Sequence, residues 1–490
     1  MLSGSRLVLV PVGDDDVVLR PPPPPTQIVD VPAAVRDALR YPLAGSPLEA
    51  LARGGRRATI VVEPASLPLP GAPQDARQTA IATAIAELER HGIPDERQTI
   101  LVAGGLRRRF GQRDLEGVLP PPQARAFRGR VVVHDAEEED LVELSDGVRV
   151  SPALVDTDLV LSVTAAETVL HGGPGALLAA CDAKTIRATA GADSLLEASG
   201  SPAWGLALRV EAALAERGTL CGVSLALDLP RLTGRYHGYP HDEEVVAGLV
   251  RSPLRAAFSM LPDSLRQDVL SRQGRRMAAT GAFAGPPSIA HAEALLRGVA
   301  RRGVRLEEPV DALVAGAPWI GPHVPREPVN PITVAAVVLG LALRLRRDAF
   351  PVRDGGTLVV VHPLTRTFAH VTQAPYAAMF DALRQLGRPE ELVAAEQVAA
   401  TDARALDAYR AGRACHPLLP YADWAGCAPA LARLGRVIVA GSRDAVAARA
   451  LGFVPSHGVG SALDMAHGVA GGGARVAVLL APPYAPLLVG

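Results

Sequence analysis

Short runs of apolar residues recur along the chain, separated by stretches in which apolar positions return every three or four residues. Ala58 to Val62, Thr99 to Ala103, Arg130 to His134 and Leu159 to Val163 read as strands, most of them apolar on both faces. Asp75 to His91 sets Ile81, Ile85 and Leu88 on one face of a helix. Thr219 to Asp228 adds a strand, and Pro253 to Pro287 reads as a helical, Arg-rich stretch ending in the loop Gly285 to Ser288. The same grammar then restarts. Asp311 to Ala315, Gly356 to His362, Arg436 to Ala440 and Arg475 to Leu480 are strands, with helices over Pro331 to Arg344 and Pro375 to Leu386. Strands alternating with helices predict mostly parallel sheets, hence two α/β domains, residues 1–285 and 286–490. Ahead of them, Arg6 to Val12 reads as a strand and Pro21 to Pro25 as a stiff polyproline connection, with docking to an aromatic groove as the second reading.

In open parallel sheets a ligand sits beyond the carboxyl ends of the strands. That rule selects three loops: Glu63 to Pro70, Gly104 to Gly111, and His171-Gly172-Gly173-Pro174-Gly175. The glycines of the last allow close backbone approach to a ligand, and a helical pattern begins at Ala176. Arg107, Arg108 and Arg109 either grip a carboxylate or phosphate through paired hydrogen bonds or form a solvated basic turn. His237 and His241 stand four apart, but glycine and proline around them make a loop rather than a metal-binding helix.

Composition narrows the picture. A net charge of −1 removes the electrostatic case for nucleic acid or an anionic membrane. The longest apolar run, Ile332 to Leu343, is short of the roughly 20 residues a spanning helix needs and is expected to be buried. The amino terminus lacks a convincing cleavage site, so no signal peptide is expected. Cys181, Cys221, Cys415 and Cys427 show no paired or zinc spacing and fit reduced thiols of a cytoplasmic protein. Of the 50 basic residues a single one, Lys184, is lysine. Only an amine readily loses its proton to act as a nucleophile, so Lys184 is a candidate reactive group; its other reading is a helix cap kept by chance.

Taken in order, LVAGGLRRR at Leu101 to Arg109, LVLSVTAAETVLHGG to DAKTI at Leu159 to Ile186, EPVDALVAGA at Glu308 to Ala317, RDGGTLVVVHPL at Arg353 to Leu364 and SALDMAHGVAGGGARVAVLLAP at Ser461 to Pro482 resemble the nickel-dependent lactate racemase family. The resemblance implies an interdomain cleft holding substrate and a nickel pincer nucleotide, the latter tethered to a lysine in a Gly-Gly-Arg-Lys loop. It implies a nickel ligand at His171, a cleft tryptophan at Trp424, and cofactor contacts from Gly172, Gly173, Gly175 and Arg108.

The departures fall on the chemistry. The family's Asp-His-Thr-Arg-Pro loop is replaced by Pro64-Ala65-Ser66-Leu67-Pro68, and its loop histidine by Arg107, whose guanidinium stays protonated at neutral pH. Pro174-Gly175 stand where Arg-Lys is expected, the histidine sought in Arg187 to Ser194 is absent, and the second domain's lysine and glutamine meet only Val329 to Thr333. Lys184 matches the later Lys-Thr-Ile element. It is a tether only if the loop is rebuilt. Groups that act as a unit fail as a unit. The expectation is a divergent lactate-racemase-like protein that binds a small anionic ligand, a 2-hydroxy acid or nucleotide-like, with Arg107, Lys184 and Trp424 at the site and the nickel pincer nucleotide or no cofactor. The alternatives are an active 2-hydroxy-acid racemase or epimerase, an isomerase, and a non-catalytic partner protein.

Overall fold

Two six-stranded sheets organise the chain, and most of their strands fall on the apolar runs. The computed structural model describes all residues except 65–74, 112–116, 322–326, 386–388 and the single positions 146, 199, 274, 370 and 472. The first sheet runs Ala279–Gly285, Thr219–Leu227, Leu159–Ala165, Ala58–Val62, Gln98–Val102, Arg130–Val133. Its pairings are parallel except at Ala279–Gly285, which lies antiparallel at the edge. The second runs Val454–Ser456, Arg436–Ala440, Val352–Val361, Val310–Gly316, Val476–Leu479, Val17–Leu19, parallel throughout.

The unbroken apolar runs reflect cover on both faces. Leu159–Ala165 is buried along its whole length. Ile60, Val62 and Leu161 enter one core while Val61, Leu101 and Val160 enter another, as the two-residue period of a strand requires. Each such side chain contributes roughly 1.5–3 kcal/mol on burial. Helix Ala76–Arg90 starts at Asp75, whose side chain accepts from Arg77 N, and buries Ala80, Ile81, Ala84 and Leu88 on one stripe.

Three local expectations are corrected. Pro253 to Pro287 is helical only over Pro253–Met260 and Asp263–Ser271, and then turns into the edge strand Ala279–Gly285. That strand, ATGAFAG, is built of small residues apart from Phe283 and carries no run of large apolar residues. Arg6 to Val12 pairs only at Arg6–Leu7, against Leu2–Ser3. Pro331 to Arg344 is a short α-helix, Pro331–Ala335, that continues as a π-helix over Ala336–Ala342. In the polyproline stretch the Pro22 carbonyl accepts from Arg231 Nη2 at 3.1 Å. No described helix is long and apolar enough to cross a membrane.

Candidate ligand-binding cleft

The carboxyl ends of three adjacent parallel strands converge on one cavity of about 210 Å³. Glu63 follows Ala58–Val62, Gly104 to Arg107 follow Gln98–Val102, and His171 and Gly175 follow Leu159–Ala165. The opposite wall comes from the second half of the chain. The π-helix supplies Ala336, Gly340 and Leu341, Arg344 stands just past its end, and helix Leu419–Leu431 supplies Ala422, Asp423 and Gly426. Of the first of the three loops, residues 65–70 lie outside the described residues, as does most of the Pro64 to Pro68 replacement.

The glycine-rich loop does not present its amides to a ligand. Gly172 N donates to Glu63 Oε2 at 2.7 Å and Gly173 N to Thr164 Oγ1 at 2.8 Å, while Gly175 N donates back to Gly172 O at 2.9 Å. The loop is folded onto its own strand and onto His291, so a side chain at Gly173 would collide with the imidazole and one at Gly175 with the Leu170 carbonyl. The amides of Gly172, Gly173 and Gly175 are thus engaged internally, and of the three glycines Gly175 alone reaches the cavity wall. His171 does line the cavity, its ring held by a 2.7 Å contact between Nδ1 and Thr168 Oγ1.

Of the three arginines, only Arg107 faces the cavity. It is buried, 8% exposed, and Nη1 donates to Pro64 O at 3.1 Å. Arg108 reaches the Gly412 carbonyl at 3.4 Å. Arg109 is committed to Asp135 at 3.2 Å and to the carbonyls of Arg410 and Val133 at 2.6 and 3.0 Å. Tyr409 Oη donates to Gly105 O and accepts from Ala136 N, both at 3.1 Å, and His416 N donates to Leu106 O at 2.9 Å. The loop expected to grip a ligand thus mainly stitches the two halves together.

Lys184 and Trp424 stand away from the cavity. Helix Ala183–Arg187 turns Ile186 to the cleft, and Thr189 and Ala190 in the turn after it line the cleft too. Two residues before Ile186 is roughly 200° around a helix, and Lys184 is exposed on a separate surface cavity with Thr185, Ala188 and Arg209. Trp424 packs half-buried against the core, and its neighbour Asp423 takes the wall position. Tyr376 Oη donates to Asp423 Oδ2 at 2.6 Å and so orients that carboxylate. His241, of the histidine pair, lies in a loop with Nδ1 3.4 Å from Arg231 Nη1.

Two wall residues, Arg344 and Asp423, escaped the sequence reading. Arg344 is 5% exposed. Nη1 donates to Gly340 O at 3.1 Å and Gly426 O at 2.9 Å, while Nε and Nη2 are buried without a hydrogen-bond partner. Burial lowers its pKa to about 10, so it keeps its charge at neutral pH. Room for it depends on Gly426, where a Cβ would sit 2.7 Å from Nη1.

The fold and cleft define an α/β protein built on two six-stranded sheets, with a candidate binding cleft at the strand ends. Residues 4–168 match the family model described as the lactate racemase N-terminal domain. The lactate racemase apoprotein from Thermoanaerobacterium thermosaccharolyticum has a similar fold, with a TM-score of 0.63 at 14% identity over 100% of this chain and 99% of that one. A Thermotoga maritima protein aligns over 94% of this chain and 97% of its own at 11% identity, with a TM-score of 0.48. None of the curated proteins compared with the chain matches it. Residues 4–168 are thus similar to the lactate racemase N-terminal domain, and the structural likeness speaks for the fold of the whole chain alone.

The nickel pincer nucleotide implied by that family does not fit the loop as it is built. The position that the resemblance aligns with the attachment lysine is Gly175, packed against Leu170 with no space for a side chain, and the chain's lysine faces another cavity. Among the described residues, no group of three or more His, Cys, Asp or Glu could hold a metal ion.

Proposed function

We propose that this chain binds a small molecule bearing an anionic group, of the size of a 2-hydroxy acid, in the cleft between its two sheets, and has lost nickel-pincer racemisation. The observation that carries the reading is Arg344, a charged guanidinium lining the cavity with two buried nitrogens that lack partners. A carboxylate is the natural complement to such a fork. Arg107 on the facing wall supports the same assignment. The division into domains 1–285 and 286–490 belongs to this proposal, with Val17–Leu19 donated across it.

Thermal unfolding of the full chain against small carboxylates and inorganic phosphate tests it. A ligand at 100 times its Kd adds about 2.7 kcal/mol of stability, and Arg344→Gln is expected to abolish that gain. Stabilisation that survives Arg344→Gln unchanged refutes the assignment. His171 on the cavity wall favours a second reading, an active hydroxy-acid racemase. That reading requires a nucleotide-sized adduct in the intact mass and stoichiometric nickel when the protein is made alongside the cofactor pathway.

A further inference from the structure

Among the described residues, the charged groups around the cavity come in two opposite pairs. Arg344 and Arg107 contribute guanidiniums, and Asp423 and Glu63 contribute carboxylates, one of each sign from either half of the chain. Both carboxylates are held in place. Tyr376 Oη donates to Asp423, and the Gly172 amide donates to Glu63. Among the described residues the formal charge of this wall is zero. Lodging a monoanion against this wall leaves one unit of charge uncompensated, and partial burial makes that unfavourable. A molecule carrying both signs leaves none. The rest of the wall is aliphatic, with Leu106, Leu170, Leu178, Ile186 and Leu341. This gives space for a short apolar side chain and little for a nucleotide.

We infer that the ligand of this cleft is a zwitterionic 2-amino acid with an aliphatic side chain, its carboxylate received by Arg344 with Arg107 and its ammonium by Asp423 with Glu63. The inference rests on the carboxylate-binding reading above and narrows it. An ammonium brings three donors to carboxylate acceptors, whereas a hydroxyl brings one. The orphaned nitrogens of Arg344 are the acid's counterpart and the Tyr376-oriented Asp423 is the amine's.

Titration calorimetry at pH 7 on the full chain decides it with matched ligands: alanine, valine and leucine, the 2-hydroxy acids of the same skeletons, and the corresponding amines without the carboxyl. At least one amino acid is expected to bind at least tenfold more tightly than its hydroxy acid and its amine. Asp423→Asn makes the wall net positive and is expected to move the preference at least tenfold towards the hydroxy acid. A merely structural role for Asp423 would weaken both ligands equally, and that result overturns the assignment. Hydroxy acids binding as tightly as amino acids, or more tightly, overturn the zwitterion while leaving carboxylate binding in place. No binding by any acid removes both. The comparison on the unaltered protein stands alone if the variant does not fold.

Discussion

Three buried histidines make the stability of this protein sensitive to mild acid. His134 places Nε2 2.7 Å from Cys181 O, His291 places Nε2 2.8 Å from Thr168 O, and all three, with His362, keep Nδ1 buried without a partner. Burial lowers each pKa from 6.5 to about 4, because a charged ring would have a second N–H with nothing to receive it. The folded state therefore binds fewer protons than the unfolded chain between those values, and stability falls as pH drops through that window. Each ring contributes a slope of about 1.4 kcal/mol per pH unit, so three lose about 5 kcal/mol between pH 6.5 and pH 5. Glu211, whose burial raises its carboxyl, opposes this at the acid end with a single proton. A loss of that size is a large share of the roughly 5–15 kcal/mol typical of a folded protein. Unfolding is thus expected to begin above the pH at which carboxylates protonate. Urea denaturation at pH 7, 6, 5.5 and 5 measures it, and His362→Asn should remove about a third of the slope. A flat stability across that range refutes the argument.

Other outcomes follow from the site. Gly175→Lys, which rebuilds the family's attachment residue, is expected to cost about 1–3 kcal/mol through overpacking against Leu170; an unchanged denaturation midpoint would contradict this. Tyr409→Phe leaves Ala136 N without its acceptor and should cost about 1–3 kcal/mol in the same assay. Lys184→Arg should leave ligand-induced thermal shifts unaltered, since the side chain faces a different cavity. A lost shift would return Lys184 to the site.

The strands were legible wherever burial on both faces wrote an uninterrupted apolar run, as at Ala58–Val62 and Leu159–Ala165. Ala279–Gly285 was hidden because a strand packed under a helix can be made of alanine and glycine. The strand-end rule found Glu63, Arg107 and His171, since position in a parallel sheet is written in the order of elements. It could not find Arg344 or Asp423. These reach the cavity from the end of one helix and the body of another far along the chain, and one arginine among 49 carries no local mark. The glycine-rich loop misled for a physical reason. Glycine permits a close approach, but whether the approach is to a ligand or to the protein's own strand depends on Glu63, Thr164 and His291.

Val17–Leu19 pairs in register with Ala477–Leu479, so the earliest strand of the second sheet waits for one of the last to be made. At about 5–20 residues per second of synthesis, roughly 20–90 s separate the two. Over that interval the first sheet, residues 58–285, is completed while the leading segment has no strand to join. The ribosome thus delivers one half finished and the other open, and the later strands close the second sheet around a segment made long before them. Deleting the chain through Leu19 should therefore leave a folded first sheet with a frayed second, which limited proteolysis of the released chain would reveal.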